Sequence, residues 1–148
     1  MSANEIVIAD GERTIHEKLK SLELAIRAAG TIELEVRHHF SPGVYGRELH
    51  IPAGKTLVGA VHKFANLNIV SKGDISVLTE DGVKRFAAGA HIVSPAGVQR
   101  AGYAHEDTIW TTIHGTNETD LEKIEAMFVA QTYDEYLAYC ESLKIEGA

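Results

Sequence analysis

The sequence predicts a mainly β domain: a small barrel of short strands that is flanked by helical segments on both sides. Between about residues 31 and 116, short runs rich in β-branched residues alternate with turns that contain glycine or proline, a pattern typical of sandwiches and barrels. Before and after this region, apolar residues recur every three or four positions, the period of an amphipathic helix. We therefore expect one domain over residues 1–148, with a helical arm at 1–30, the barrel at 31–116 and helices at 117–148.

Composition is typical of a soluble globular protein, with 45% hydrophobic and 24% charged residues in 148. No apolar run approaches the roughly 20 residues that span a bilayer. The acidic N-terminus lacks the order of a secretory signal. A cytoplasmic protein without a membrane partner is expected. The net charge of −7 repels phosphate backbones, which argues against a nucleic acid polymer as partner. Cys140 is the only cysteine, so an intramolecular disulfide and a thiolate metal cluster are both excluded.

The N-terminal segment 12–29 predicts one amphipathic helix. Ile15, Leu19, Leu22 and Ile26 follow one another at spacings of three and four, with charged residues on the opposite face. Gly30 marks its end.

Six runs predict the strands of the barrel: TIELEV (31–36), ELHI (48–51), NIVS (68–71), ISVLTE (75–80), HIVS (91–94) and TIWTTIH (108–114). Glu80-Asp81-Gly82 lies between two of them and predicts a hairpin, because Asp-Gly tolerates positive φ.

Two capping boxes predict a C-terminal helical hairpin. Thr119-Asp120-Leu121-Glu122 precedes an apolar stripe, and Thr132-Tyr133-Asp134-Glu135 precedes a second one. We expect these helices to cover the barrel or to pair with another subunit.

Two spaced motifs in the central region resemble those of the cupin superfamily. The first cupin motif runs G-x5-H-x-H-x3-E-x6-G, and this chain has Gly54, Ala60, His62, Asn66 and Gly73 at those positions. The second runs G-x5-P-x-G-x2-H, and it is met by Gly89, Pro95, Gly97 and Arg100. The resemblance covers about residues 44–115 and implies a double-stranded β-helix, also called a jelly-roll barrel. Longer phrases such as SPGVYGRELHIPAGK also look like small cupin-like proteins of tailed phages and prophages.

The substitutions within these motifs alter the chemistry that the resemblance implies. Cupins bind one divalent cation with three histidines and a carboxylate, and only His62 remains here. Arg100 stands at a ligand position, although a guanidinium has no lone pair for a metal. We therefore expect no metal and no cofactor. A non-standard set drawn from Glu48, His50, His62, His105 and His114 stays open.

The parity of a strand predicts which side chains enter the lumen. His62, Asn66 and Asn68 share one parity, so they are expected to point inward while Leu67 and Ile69 pack outward. Trp110, Thr112 and His114 share a face of the last strand, where Trp110 could stack on a ligand or simply be core. Other candidates are Tyr103 near the barrel mouth and Glu48, although the run ELHI leaves open whether Arg47 or Glu48 faces inward. His38 and His39 are adjacent and face opposite sides, which favours structural roles; His105 is either an acid-base group or a solvated loop histidine.

Together these residues predict a metal-free cupin that binds a small anionic or polyhydroxy ligand in the lumen: a nucleotide, a sugar phosphate or a carboxylate. The expected ligand-binding residues are His62, Arg100, Asn66, Asn68, Tyr103, Trp110, His114 and Glu48. A phage-type protein that sequesters its ligand fits this function. Alternatives are a metal-dependent cupin enzyme, a metal-free sugar-nucleotide isomerase or epimerase, or a structural virion component. The isomerase alternative comes from Ala60-Val61-His62-Lys63, which resembles a His-Ala-His-Lys phrase of ketoisomerases, with Tyr45 or Tyr103 as the partner of His62. A homo-oligomer, with a dimer favoured, is expected from exposed sheet edges.

Overall fold

A computed structural model describes residues 15–79 and 81–146. The first helix, α1, spans Ile15–Ala29 and ends before Gly30, as its apolar stripe predicts. Leu19, in the middle of that stripe, is fully buried. The expected first turn of this helix, at residues 12–14, lies outside the described residues.

Within the described residues, eleven strands follow in chain order: Glu35–Ser41 (β1), Val44–Ile51 (β2), Thr56–Val58 (β3), Val61–His62 (β4), Asn66–Lys72 (β5), Asp74–Thr79 (β6), Gly82–Ala87 (β7), His91–Ser94 (β8), Ala101–Ala104 (β9), Thr108–Gly115 (β10) and Val129–Ala130 (β11). They form a five-stranded sheet in the order β1-β2-β10-β5-β8 and a four-stranded sheet in the order β3-β9-β6-β7. A two-stranded ribbon pairs β11 with β4. The mainly β fold class predicted from the sequence is confirmed.

The first strand begins later and runs further than the run TIELEV predicts. β1 pairs with β2 over its whole length, from Glu35 opposite His50 to Ser41 opposite Val44. Gly43 has a φ of +79° in the tight turn that joins the two strands. The turn residues Ser41-Pro42-Gly43 therefore determine how β1 and β2 pair. As a result of this pairing, β1 includes His38 and His39. By contrast, the hairpin predicted at Asp81-Gly82 is confirmed by the antiparallel pairing of β6 with β7.

The C-terminal segment forms two helices, α2 at Leu121–Phe128 and α3 at Tyr133–Glu146. The N-cap of α2 is Asp120, whose carboxylate accepts hydrogen bonds from two backbone N–H groups. The box predicted at Thr119 is thus displaced by one residue. The second cap is confirmed, since the Thr132 hydroxyl accepts a hydrogen bond of 3.1 Å from the Glu135 backbone. Because β11 lies between the helices and pairs with β4, this segment is tied to the barrel.

Two apolar clusters lie in the barrel interior. One centres on Ile51, Ile75, Val77 and Ala104, which join the two sheets. The other places Ile124 and Phe128 of α2 against Tyr45 of β2, so α2 packs onto the barrel. Residues of both clusters line the candidate site. None of the helices in the described part of the chain is long and apolar enough to cross a bilayer.

Candidate functional site

A cavity of about 750 Å³ occupies the interior between the two sheets. This volume lies in the range of sites that hold small molecules. Strands of both sheets, the β4 ribbon and α2 all contribute side chains to its wall. Side chains therefore do not completely fill the interior of the barrel.

The inner face of the five-stranded sheet is divided into apolar and polar rows. Cross-strand neighbours share a face, and positions two residues apart along a strand point to the same side. One row is apolar, with Val36 opposite Leu49, Leu49 opposite Trp110 and Trp110 opposite Val70. The next row is polar and joins His38, Arg47, Thr112 and Asn68 in the same way. One step further, Tyr45 pairs with His114 and Asn66 pairs with Ser94.

Asn68 is the centre of a buried hydrogen-bond network. Its amide nitrogen donates to Asn66 Oδ1 at 2.8 Å and to Ser94 Oγ at 2.9 Å. Its carbonyl oxygen accepts from Trp110 Nε1 at 3.0 Å and from Thr112 Oγ1 at 2.7 Å. These bonds use both protons and both lone pairs of the amide. Asn68 therefore holds three strands together and has no capacity left for a ligand.

Arg100 lies just before β9 and reaches into the cavity. The backbone at this point is fixed by Gly59, whose N–H donates to the Arg100 carbonyl at 2.9 Å. One terminal nitrogen, Nη1, donates to the Ser94 hydroxyl. The Nε atom is buried and has no hydrogen-bond partner in the described part of the chain. Burial also lowers the pKa of Arg100, although a guanidinium keeps its charge at neutral pH.

Arg47 supplies a second positive charge to the same cavity. It lies on β2 with Leu49 and Ile51 facing the same way. Neither Arg47 nor Arg100 forms an ion pair within residues 15–79 and 81–146. The carboxylates that reach the cavity wall belong to Glu33 and Glu125, which are both exposed.

His62 and His114 form a hydrogen-bonded pair in the polar part of the cavity. His62 Nδ1 lies 3.2 Å from His114 Nε2, and the ring of Phe128 stacks on His114 with centroids 4.4 Å apart. Burial, followed by the charges of His114, Arg47 and Arg100, lowers the pKa of His62 from 6.5 to about 4. Burial lowers the pKa of His114 as well. Both rings are thus neutral at pH 7, and one donates to the other.

Tyr45 and His38 form a second polar pair on the cavity wall. The Tyr45 hydroxyl lies 2.7 Å from His38 Nδ1. Burial raises the pKa of Tyr45, whereas burial and the charge of Arg47 lower that of His38. At neutral pH a protonated phenol therefore meets a neutral imidazole.

The structure brings six of the eight residues proposed from the sequence to this cavity: His62, Arg100, Asn66, Asn68, Trp110 and His114. The other two lie elsewhere. Tyr103 is 42% exposed and its ring packs edge-on against His105. Glu48 faces outward, where its carboxylate contacts His39 at 3.0 Å and His50 at 2.5 Å. Neither Tyr103, expected near the barrel mouth, nor Glu48, whose facing the sequence left open, lines this cavity.

Sequence reasoning missed several groups on the cavity wall. Ser94 and His38 were not proposed, and Arg47 was left as an alternative to Glu48. Alternation with the apolar Leu49 and Ile51 is the signal that indicates an inward Arg47. His38 was assigned a structural role because His38 and His39 are adjacent and face opposite sides, whereas the structure places His38 on the cavity wall. Leu67, expected to pack outward against other elements, is instead exposed on the outer face.

The residues present do not fit the divalent cation that cupins bind. Among the described residues, no group of three or more histidine, cysteine or carboxylate side chains is arranged to hold a metal. His62 and His114 meet, but Glu48 and His50 lie on the outer face and His105 bonds to Ser76 at 2.6 Å. Arg100 places a positive charge beside His62. We derive no chemistry through a metal at this site.

Comparison with solved structures identifies the architecture. A protein with a double-stranded β-helix domain from Klebsiella pneumoniae superposes with a TM-score of 0.50 and 14% identity over 60% of this chain and 76% of its own. The fold is a cupin-type double-stranded β-helix. A cupin-2 domain protein from Shewanella frigidimarina gives a TM-score of 0.48 and 15% identity, covering 61% of this chain and 88% of that one. A cupin superfamily protein from Desulfitobacterium hafniense gives 0.48 and 12%, covering 56% and 77%.

These similarities concern the fold alone, because their sequence identities are so low. No protein-family model matches this sequence, and no curated protein matches it. The resemblance to phage proteins stays a prediction.

Proposed function

We propose that the protein binds a small anionic molecule in the barrel cavity through Arg100 and Arg47, without a metal. The observation that carries this proposal is that both guanidinium groups face one cavity and neither has a carboxylate partner in the described part of the chain. The Nε atom of Arg100 is buried without a partner, which is costly because the low dielectric of the interior does not replace its hydration. An anion in the cavity would supply that partner.

The neighbouring groups support an anionic ligand. Ser94 Oγ accepts hydrogen bonds from Asn68 and Arg100, so its own O–H remains to donate to a further acceptor. Charge-assisted hydrogen bonds from guanidinium groups are among the stronger polar contacts in proteins, at about 1.5–3 kcal/mol each.

We assign binding without turnover to this site. The groups in the cavity that could transfer protons are hydrogen-bonded to each other, as His62 to His114 and Tyr45 to His38. Sequestration of a metabolite is the simplest use of such a cavity. Recovery of the bound molecule chemically unchanged, by mass spectrometry after incubation, is the expected result; its conversion to a product would favour an isomerase.

Isothermal titration calorimetry with panels of carboxylates, sugar phosphates and nucleotides tests the proposal. The ligand that binds should lose about 10- to 100-fold in affinity in Arg100→Gln, the equivalent of about 1.5–3 kcal/mol. Arg47→Gln should weaken the same ligand by a smaller factor, because Arg47 is more exposed to solvent.

Arg37→Gln provides the matched control. Arg37 lies on the neighbouring strand and is exposed, with Glu35 as its partner at 3.3 Å. The control should bind like the unmodified protein. Equal affinity in Arg100→Gln and Arg37→Gln, or no binding by any compound in the panels, would contradict the proposal.

A further inference from the structure

We propose that the anionic group of the ligand is a carboxylate and that it is carried on an apolar body, as in a medium-chain aliphatic or aromatic monocarboxylate. This inference rests on the proposed anion-binding function and narrows it to one chemical class. It depends on two independent features, the edge of Arg100 that remains unpaired and the division of the cavity into polar and apolar halves.

The unpaired edge of Arg100 matches a planar group with two oxygens. Because Nη1 is bonded to Ser94, the edge formed by Nε and Nη2 carries no hydrogen bond from the described residues. The same edge of another arginine shows how it pairs. On the outer surface, Arg85 Nε donates to Asp74 Oδ1 at 2.7 Å and Arg85 Nη2 donates to Oδ2 at 2.8 Å. A ligand carboxylate would bind Arg100 in this bidentate manner.

The Ser94 hydroxyl fixes the orientation of this edge. It accepts one hydrogen bond from Arg100 Nη1 and another, of 2.9 Å, from Asn68 Nδ2. Because Nη1 points away from the edge formed by Nε and Nη2, Ser94 does not itself reach a carboxylate bound at that edge. The carboxylate would be bound by two donors, Nε and Nη2 of Arg100.

The other half of the cavity offers an apolar surface. Leu49 and Trp110 lie in the apolar row of the five-stranded sheet, and Leu57, Ile75 and Val77 face them from the four-stranded sheet. The four aliphatic side chains in this set provide no hydrogen bonds, and Trp110 donates its one N–H to Asn68. A sugar or ribose placed against them would bury its hydroxyls without partners, and each such loss weakens binding roughly tenfold.

The polar atoms at the boundary between the halves are already occupied. Trp110 Nε1 and Thr112 Oγ1 both donate to Asn68 Oδ1, so neither has a proton left to donate to a ligand. The wall beyond Asn68 is thus suited to hydrocarbon. A polar head at Arg100 and a hydrocarbon body against Leu49 and Ile75 would match both halves of the cavity.

Calorimetry with the full chain tests this inference with hexanoate, 4-phenylbutyrate, acetate, hexanamide, glucose 6-phosphate and adenosine monophosphate. Hexanoate has four more methylenes than acetate, and each buried methylene is worth about fourfold in affinity, so hexanoate should bind about 200-fold more tightly. Hexanamide keeps the hydrocarbon and removes the charge, and it should bind at least 10-fold more weakly than hexanoate. Arg100→Gln should reduce the affinity for hexanoate at least 10-fold.

Arg100→Lys separates charge from geometry. Lysine keeps the positive charge and loses the two-nitrogen edge, so we expect it to restore less than half of the loss, on a logarithmic scale, that Arg100→Gln causes. Arg37→Gln should leave hexanoate binding unchanged. Acetate and hexanoate of equal affinity, or full restoration by lysine, would overturn the inference. Arg100-dependent binding of glucose 6-phosphate or adenosine monophosphate without binding of hexanoate would overturn it too, while leaving the anion-binding function in place. No binding by any of these compounds would overturn both.

Discussion

Lowering the pH tests the environment assigned to His62. The pKa of His62 is about 4 in the folded protein and 6.5 ordinarily. Between these values the unfolded chain binds a proton at His62 that the folded chain does not bind. The free energy of unfolding therefore falls as the pH falls from about 6.5 to about 4. Each pKa unit is worth about 1.4 kcal/mol, so the contribution of His62 over this range is roughly 3 kcal/mol.

The assay is urea unfolding at about pH 7 and about pH 4.5, followed by the fluorescence of Trp110, the single tryptophan. His62→Asn keeps a polar atom near the ring Nδ1 and removes the titration. We expect the variant to lose roughly 2–3 kcal/mol less than the unmodified protein between the two pH values. His91→Asn, at an exposed histidine, should behave like the unmodified protein. An equal loss of stability in His62→Asn and the unmodified protein would refute the buried, neutral histidine pair.

Three further perturbations test other parts of the structure. Asn68→Leu removes the centre of the buried network and strands its partners, so we expect urea unfolding to show a loss of about 2–4 kcal/mol; a loss below about 1 kcal/mol would contradict the network. Gly97→Ala should cost about 1–3 kcal/mol more than Gly89→Ala, because both have positive φ but only at Gly97 does the added Cβ approach a ring of α3, at 2.7 Å; equal losses would show that no ring lies there. We propose that the chain self-associates through the outer face of the five-stranded sheet, where Val93 is 71% exposed. Light scattering should show a smaller particle for Val93→Lys than for Val83→Lys on the other sheet, and equal masses would argue against this interface.

The order and pairing of many elements could be predicted from residues along the chain. Gly54 and Gly97 lie in turns, as their places in the spaced motifs predict. The strand β8 has the predicted bounds, and β10 differs only by one added residue. The inward parity of His62 and Asn68 is also observed. These features depend on local turn chemistry and on the alternation of side chains, both of which are visible in a single sequence.

The sequence did not predict which face of β2 points into the lumen. A shift of one residue in strand register reverses every side chain, and the run ELHI has apolar and polar residues that suit either choice. Pairing with β1 and β10 places Arg47 inward and Glu48 outward. That choice depends on contacts with strands distant in sequence.

Which polar side chains are already hydrogen-bonded, and which remain available to a ligand, could also not be predicted without the three-dimensional structure. Asn68 was proposed to bind a ligand, yet its capacity is used by Asn66 on its own strand and by side chains of two neighbouring strands. Arg100 was proposed from its place in the second motif, and its Nε has no partner in the described part of the chain. Sequence spacing indicates which residues enter the lumen, whereas only the geometry distinguishes a satisfied group from one that is available.

A crystal structure of the protein soaked with hexanoate tests the central claim most directly. We expect the carboxylate oxygens to lie about 2.7–2.9 Å from Nε and Nη2 of Arg100, with the hydrocarbon chain against Leu49 and Ile75. Hexanoate bound outside the barrel, or a transition metal coordinated by His62 and His114 with Arg100 turned away, would contradict the account.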